Sequence, residues 1–313
     1  MVKIDLVTGF LGSGKTTFLK KYAKRLMEQG QNIGILENDF GAVNVDMMLL
    51  QELEGEQCEL EMISGGCDPE THRRRFRTKL IAMGMCGYDR VLVEPSGIYD
   101  MDEFFDVLHE EPLDQWYEIG SVLAIVDACL EDILSPEANY VLASETASAG
   151  CIVMSRTQEA SEEEQQNTVA HLNRALEHAK CSRRLEPEHV VRKNWEELTD
   201  ADFEKIAAAG YEHASYVKQD YSEHGGFESL FFMNLGMDEK ALLQAVQEIF
   251  SNNACGTVFR VKGFFKDRAD AWKELNMTRC RQSVHPIKRG QEVLIVIGEH
   301  LDRTRIAAYF ERR

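Results

Sequence analysis

Three things are scarce in this sequence. No stretch of its 313 residues comes near 18 uninterrupted apolar positions, the length a bilayer-crossing helix needs, so neither a membrane span nor a membrane partner is expected. The eight cysteines form no CxxC pair and no evenly spaced framework. That excludes a disulfide scaffold and leaves the expectation of small buried thiols in a reducing compartment, the cytoplasm. Positive charge is short as well: 35 Lys and Arg stand against 53 Asp and Glu, a net charge of -18. A surface of that sign repels phosphate backbones and argues against nucleic acid as a partner. A single nucleotide is not excluded, because a local cradle can hold it. The opening MVKIDLVTGF has no long apolar segment and runs straight into a strand pattern, so no secretory leader is expected. There is no internal repeat and no low-complexity tract. What is present, 44% hydrophobic and 28% charged residues, is the make-up of a soluble globular protein whose core needs no cross-links.

The first two-thirds of the chain alternates short apolar runs with helical patterns. Strands are expected at Val2–Thr8, Asn32–Glu37, Cys58–Ile63, Arg90–Glu94, Ser121–Asp127 and Cys151–Ser155. Such alternation predicts an α/β fold, a mostly parallel sheet flanked by helices on both faces. Phe18, Leu19, Tyr22 and Leu26 share one helical face, and Gly30 supplies a stop. A glutamate-rich helix is expected from Ser161 to about Ala179, where Ser161 and Glu164 have capping-box spacing. The pattern changes near Glu223-His224-Gly225-Gly226, which predicts two domains, 1–222 and 223–313. The second reads as a small α+β unit, with strands at Leu230–Asn234, Gly256–Phe265 and Glu292–Gly298 and helices at Asp238–Phe250 and Asp302–Phe310.

Gly9-Phe10-Leu11-Gly12-Ser13-Gly14-Lys15-Thr16 matches the phosphate-loop pattern in full, directly after a strand and directly before an amphipathic helix. Glycines at 9, 12 and 14 open backbone angles that turn successive N–H groups inward as a nest for phosphate oxygens. The helix starting near Lys15 aims its positive end at the same anion. Lys15 is placed to reach the β- and γ-phosphates, and Thr16 offers a hydroxyl to Mg²⁺. The context predicts a P-loop nucleoside-triphosphate hydrolase.

Acids follow at strand ends, where open α/β sheets bind ligands. Val91-Leu92-Val93-Glu94-Pro95-Ser96-Gly97 puts Glu94 in reach of Mg²⁺ or the attacking water, and the Gly97 N–H in reach of the γ-phosphate. Glu37-Asn38-Asp39-Phe40-Gly41 ends the second strand in the same way, with Asp46 a little further on as a member of the same loop or a plain helix cap.

Together GFLGSGKTT, ENDFG, EPSG and AIVDA resemble the CobW-type GTPases, relatives of the hydrogenase and urease nickel-insertion GTPases. Arg260-Val261-Lys262-Gly263 and Ile297-Gly298-Glu299-His300-Leu301-Asp302-Arg303 are similar to that family's small C-terminal domain. The resemblance implies a GTP-hydrolysing metallochaperone or metal-cofactor assembly factor with a metalloprotein client. Gly12, Ser13, Gly14, Lys15, Thr16 and Thr17 would bind phosphate, and Glu94 would be the acid for Mg²⁺. Asp39 would lie in the first switch and Gly97 in the second.

Two departures stand out. The family's GCxCC metal motif reads Gly66-Cys67-Asp68-Pro69-Glu70 here, with one thiol kept. Thiolates suit zinc and similar metals; Cys67 with Glu37, Glu70 and His72 is a harder, weaker donor set for Zn²⁺ or another transition metal. The base-reading NKxD becomes Ser155-Arg156-Thr157-Gln158. A glutamine amide accepts one bond from guanine where a carboxylate accepts two, which also opens the site to ATP. Glu159 stands one position along as a substitute acid, and Arg156 can lay its guanidinium on the base.

The run His72-Arg73-Arg74-Arg75-Phe76-Arg77 is the one basic cluster. It reads as a solvated helix face, a docking patch for an acidic partner, or the source of an arginine for the γ-phosphate in a homodimer. His171 and His178 read as surface or core histidines. Three readings follow: an NTP-driven metallochaperone, a nucleotide-gated scaffold without metal delivery, and a small-molecule kinase.

Overall fold

The computed structural model describes residues 1–39, 45–64, 69–97, 99, 101–130, 134–217, 227–267, 269–279, 281–288 and 290–311, with backbone alone at Asp39, Val45, Asp46, Ser64 and Pro69. The chain divides into two compact units, Met1–Gln219 and Asp220–Arg313. The expected boundary at residues 223–226 lies outside the described residues.

The first unit is built on a seven-stranded sheet. Its strands are β1 (Val2–Thr8), β2 (Ile33–Asp39), β3 (Cys58–Ser64), β4 (Arg90–Pro95), β5 (Tyr117–Asp127), β6 (Cys151–Ser155) and β7 (Val190–Val191). They lie in the order β3-β2-β4-β1-β5-β6-β7, and every pairing is parallel. A parallel sheet must be covered on both faces, which is why Ile4, Leu6, Leu36, Val91, Val93, Ile125 and Val153 all lie at 0% exposure. The helices are α1 (Lys15–Glu28), α2 (Val45–Leu50), α3 (Pro69–Gly84), α4 (Met101–Leu108), α5 (Leu113–Trp116), α6 (Pro136–Ala147), α7 (Glu162–His178) and α8 (Asp200–Ala207).

On one face Phe18, Leu19, Tyr22 and Leu26 of α1 and Ile206 of α8 pack on Ile33, Ile35, Leu92, Leu123 and Val153. On the other face α3 comes so close that a Cβ on Gly34 would sit 2.7 Å from the Met83 methyl. The capping box at Ser161 is present, and α7 begins at Glu162 as its spacing predicts.

The second unit is an antiparallel sheet of five strands in the order β11-β10-β9-β12-β8. These are β8 (Phe227–Met233), β9 (Thr257–Lys266), β10 (Trp272–Met277), β11 (Gln282–Pro286) and β12 (Val293–Glu299). Helices α9 (Glu239–Ser251) and α10 (Arg303–Phe310) cover one face, burying Leu242, Val246, Ile249, Ile306 and Phe310 against Val258, Val261, Leu294 and Val296. Among the described residues no helix is long and apolar enough to cross a membrane.

Candidate functional site

The site lies at the carboxyl ends of the strands. β1 delivers the chain into a loop that only glycine can make: φ is 145° at Gly9, 81° at Gly12 and 102° at Gly14. A Cβ on Gly9 would lie 2.2 Å from the Ile125 carbonyl oxygen. The loop closes on α1, whose N-cap is Gly14 with no side-chain cap and no acid in the first turn. Helices α6, α7, α8, α9 and α10 all begin under a side-chain oxygen, from Ser135, Ser161, Thr199, Asp238 and Asp302. The first-turn N–H groups of α1 are left for an anion instead. Ser13 adds a hydroxyl that is buried with no hydrogen-bond partner among the described residues. These features fit a polyphosphate.

Lys15 is nearly buried, and its ammonium donates to the Gly9 carbonyl at 2.8 Å. Thr16 donates its hydroxyl to Glu94 Oε1 at 2.7 Å. Glu94 comes from the end of β4 and is 3% exposed. Its neighbour across the strand pair is Glu37 of β2, also 3% exposed. Two strand-end carboxylates beside a threonine hydroxyl are hard oxygen donors of the kind Mg²⁺ takes. Gly97 brings the segment after β4 against the loop, since a Cβ there would meet the Leu11 nitrogen at 2.9 Å. Thr17 is exposed on the outer side of α1.

The end of β6 supplies the other wall. Ser155 is buried, with its hydroxyl 3.5 Å from the Val126 carbonyl. Arg156 takes a left-handed φ of 57°. Its guanidinium donates to Asp127 Oδ2 at 2.5 Å and to the Gly12 carbonyl at 2.9 Å. It therefore ties the β5 end to the phosphate loop. Gln158 and Glu159 stand exposed beyond it.

Of the metal candidates, Glu37 lies in β2 and Glu70 and His72 lie on α3. His72 is wholly buried, with Nδ1 3.2 Å from Glu103 Oε1 of α4. Glu70 is exposed in the first turn of α3. Cys67 lies outside the described residues, as do the side chains of Asp39 and Asp46. Among the described residues no group of three or more His, Cys, Asp or Glu is placed to hold a metal ion. The basic run is partly structural: Phe76 is buried, Arg73 and Arg77 both pair with Glu110, and Arg74 and Arg75 are exposed. His171 is buried with Nε2 2.7 Å from Asn139 Oδ1. Burial pushes the Cys58 and Cys151 thiols up to about 11, so these two are inert core residues.

Three residues at the site have no role assigned by the motifs. Asp127 sits in the AIVDA run and is the anchor for Arg156. Trp195 packs edge-on against Phe18, ring centroids 5.3 Å apart. Its indole reaches the loop, where a Cβ on Gly14 would lie 3.2 Å from the ring. Glu145 of α6 is at 0% exposure beneath the loop and accepts from Thr8 Oγ1 at 3.4 Å. The signal for Glu145 was a single acid in Tyr140–Gly150, a stretch otherwise of small and apolar residues and hydroxyls.

Residues 3–183 match the model of the CobW/HypB/UreG nucleotide-binding domain. The zinc chaperone YjiA of Escherichia coli is 29% identical over 138 residues, 42% of this chain and 42% of its own. The zinc chaperone YeiR of the same organism is 28% identical over 167 residues, 53% of this chain and 50% of its own. The chain thus spans half or less of the length of these relatives. A crystal structure of Zn(II)-bound YjiA GTPase aligns over 99% of this chain and 98% of its own at 17% identity, with a TM-score of 0.35. With more than half of its length matched by the family model, the chain belongs to the CobW/HypB/UreG nucleotide-binding family.

Proposed function

We propose that the chain is a magnesium-dependent GTP hydrolase that works as a nucleotide-controlled switch in delivering a metal ion to a client protein. The observation that carries the hydrolase is the Gly9–Thr16 loop. It combines an uncapped helix N-terminus, a nearly buried ammonium on the Gly9 carbonyl and a hydroxyl bonded to a buried strand-end carboxylate. Each of these groups has a part in phosphoryl transfer. The loop amides and Lys15 hold the phosphates and stabilise the charge that gathers on the transferring group. Thr16 and Glu94 are the residues that would hold Mg²⁺, which supplies Lewis acidity at the phosphate oxygens. Glu94 or Asp39 orients the attacking water. Ser155, Arg156 and Gln158 border the base, where Gln158 accepts guanine N1–H but relaxes the preference over ATP. Turnover of the isolated protein is slow, as befits a switch that waits for its partner.

The metal half of the proposal is supported by the names of the two zinc chaperones to which half of the chain is similar. A scaffold that has kept the switch and lost metal delivery is the second reading. It is favoured by the withdrawal of His72 into the α3–α4 contact with Glu103. Phosphate release from GTP with no acceptor present tests the hydrolase, and its absence would leave the kinase reading. Titration of the nucleotide-bound protein with zinc, cobalt or nickel, with and without Cys67→Ala, separates chaperone from scaffold. Equal affinity in the two forms removes Cys67 from metal delivery.

A further inference from the structure

Helix α3 divides its arginines between two jobs. Arg73 and Arg77 both pair with Glu110, and Phe76 and Leu80 are buried beneath the helix. Arg74 and Arg75 are exposed, and neither serves phosphoryl transfer. With Thr78 and Lys79 of α3 and Met62 and Ile63 of β3, they line a groove of about 500 Å³.

One wall of the groove is a sheet edge. β3 is the last strand of its sheet, with β2 as its one neighbour among the described residues. The Cys58 amide and carbonyl both bond to Gly55, while the Gln57 carbonyl accepts from Ile33 at the head of β2. Strand alternation therefore aims the backbone groups of Glu59, Glu61 and Ile63 at β2 and those of Leu60 and Met62 outward. Among the described residues no backbone group bonds to Leu60 or Met62 from that side. The Met62 side chain is itself 37% exposed. Open edges are ordinarily guarded by charge, a bulge or a covering segment. The guards here, Glu59 and Glu61, are engaged by the Tyr88 hydroxyl and by Lys79 Nζ, and they stop short of Met62. The described lining carries three cations and no acid. In a protein of net charge -18 that is a local reversal of sign, and an acidic segment repelled by the rest of the surface is attracted to it.

We propose that this groove docks an extended acidic segment of a partner protein, which adds to β3 as a further strand and sets a carboxylate on Arg74 or Arg75. Strand addition satisfies the outward backbone groups of Met62. Contact with the Met62 side chain and pairing with a guanidinium supply the choice of sequence. β3 and α3 are the two elements that flank Cys67 along the chain. That the partner is the metal-receiving client rests on the metal-delivery reading above; docking itself needs no metal.

The test is fluorescence polarisation with a labelled peptide alternating valine and glutamate, as long as the seven residues of β3, and with its valine–lysine counterpart. The wild type should bind the acidic peptide and not the basic one. A proline placed in the middle of the acidic peptide should abolish binding, because it removes a donor from the added strand. R74E/R75E reverses both charges at exposed positions. It should weaken the acidic peptide by about tenfold and take up the basic peptide instead. Wild-type affinity for the acidic peptide weaker than about 1 mM overturns the proposal. Equal binding of that peptide by R74E/R75E, or binding that survives the proline, overturns it too. So does a wild-type dimer that R74E/R75E dissolves, for the edge then belongs to a second copy of this chain. The metal reading fails separately: zinc affinity unchanged in Cys67→Ala would take Cys67 out of metal delivery and leave peptide binding standing.

Discussion

Strand β4 starts with a buried cation and nearly ends with a buried anion, and the two have opposite fates. At its amino end Arg90 donates to Asp5 Oδ2 at 2.5 Å, Tyr22 donates to the same oxygen at 2.7 Å, and the Ser121 amide donates to Oδ1 at 2.8 Å. Burial raises the Asp5 carboxyl, but a guanidinium and two further donors fix its geometry. At the carboxyl end Glu94, Glu37 and Glu145 are buried just as deeply. Among their contacts are the Thr16 hydroxyl on Glu94, the strand pairing of Glu37 with Glu94 and the Thr8 hydroxyl on Glu145. One end is closed by the chain's own groups. The other is assembled from groups whose charges can be redistributed by a ligand. Buried charge alone therefore does not mark a functional site; the mark is charge whose partners are able to leave.

The largest expected effect tests the closed end. Arg90→Met leaves Asp5 buried without its cation and should destabilise the first unit by about 3–5 kcal/mol in denaturant unfolding. Replacing both partners, Asp5→Leu with Arg90→Met, should recover most of that loss, because two apolar groups need no compensation. A double variant no better than the single one would mean that the cluster's geometry, not its charge balance, holds the strands.

Next comes the open end. Lys15→Ala should lower the rate of phosphate release by about 10²–10³-fold, the scale for removing one preorganised donor from a developing charge. Its unfolding midpoint should move far less than that of Arg90→Met, because burial raises the nearby Glu145 to about 8 and leaves it largely neutral at pH 7 without a cation. Equal damage to stability at the two ends would mean that the carboxyl end is as fixed by its own charges as the amino end.

The open end was also the more legible in the sequence. Gly9–Thr16 and Arg90–Gly97 carry their chemistry in consecutive residues, and the strands they join are apolar runs, so motif and fold class could both be read directly. The closed cluster joins residues 85 apart, and the Thr8–Glu145 contact spans 137. No local pattern signals either; only the folded sheet brings them together. Strand β5 starts at Tyr117, earlier than its apolar run, because Tyr117-Glu118-Ile119-Gly120 mixes burial with polarity. β10 and β11 went unseen for a related reason. Gln282–Pro286 is a largely exposed edge, and Trp272–Met277 buries only Leu275 and Met277. Val190–Val191 is too short to show any period. Trp195 reaches the loop from a segment with no motif at all.

The smallest expected effect concerns the base. Gln158 is exposed beyond Ser155, on a loop whose Arg156 is pinned to Asp127 and to the Gly12 carbonyl. Because the pinning is made by Arg156, exchange of the side chain two positions later should leave the phosphate cradle intact and change selectivity alone. Gln158→Asp restores a carboxylate that can accept from both guanine N1–H and its amino group, and a charge-assisted bond is worth about 1.5–3 kcal/mol. The preference for GTP over ATP should rise by roughly 10- to 150-fold in competitive binding, with phosphate release from bound GTP unchanged. If the variant gained no preference, Gln158 would not face the base, and Glu159 would be the next residue to exchange. If selectivity and turnover changed together, base site and phosphate loop would be one mechanical unit, joined through Arg156, and the carboxyl end of the sheet would be less adaptable than its contacts imply.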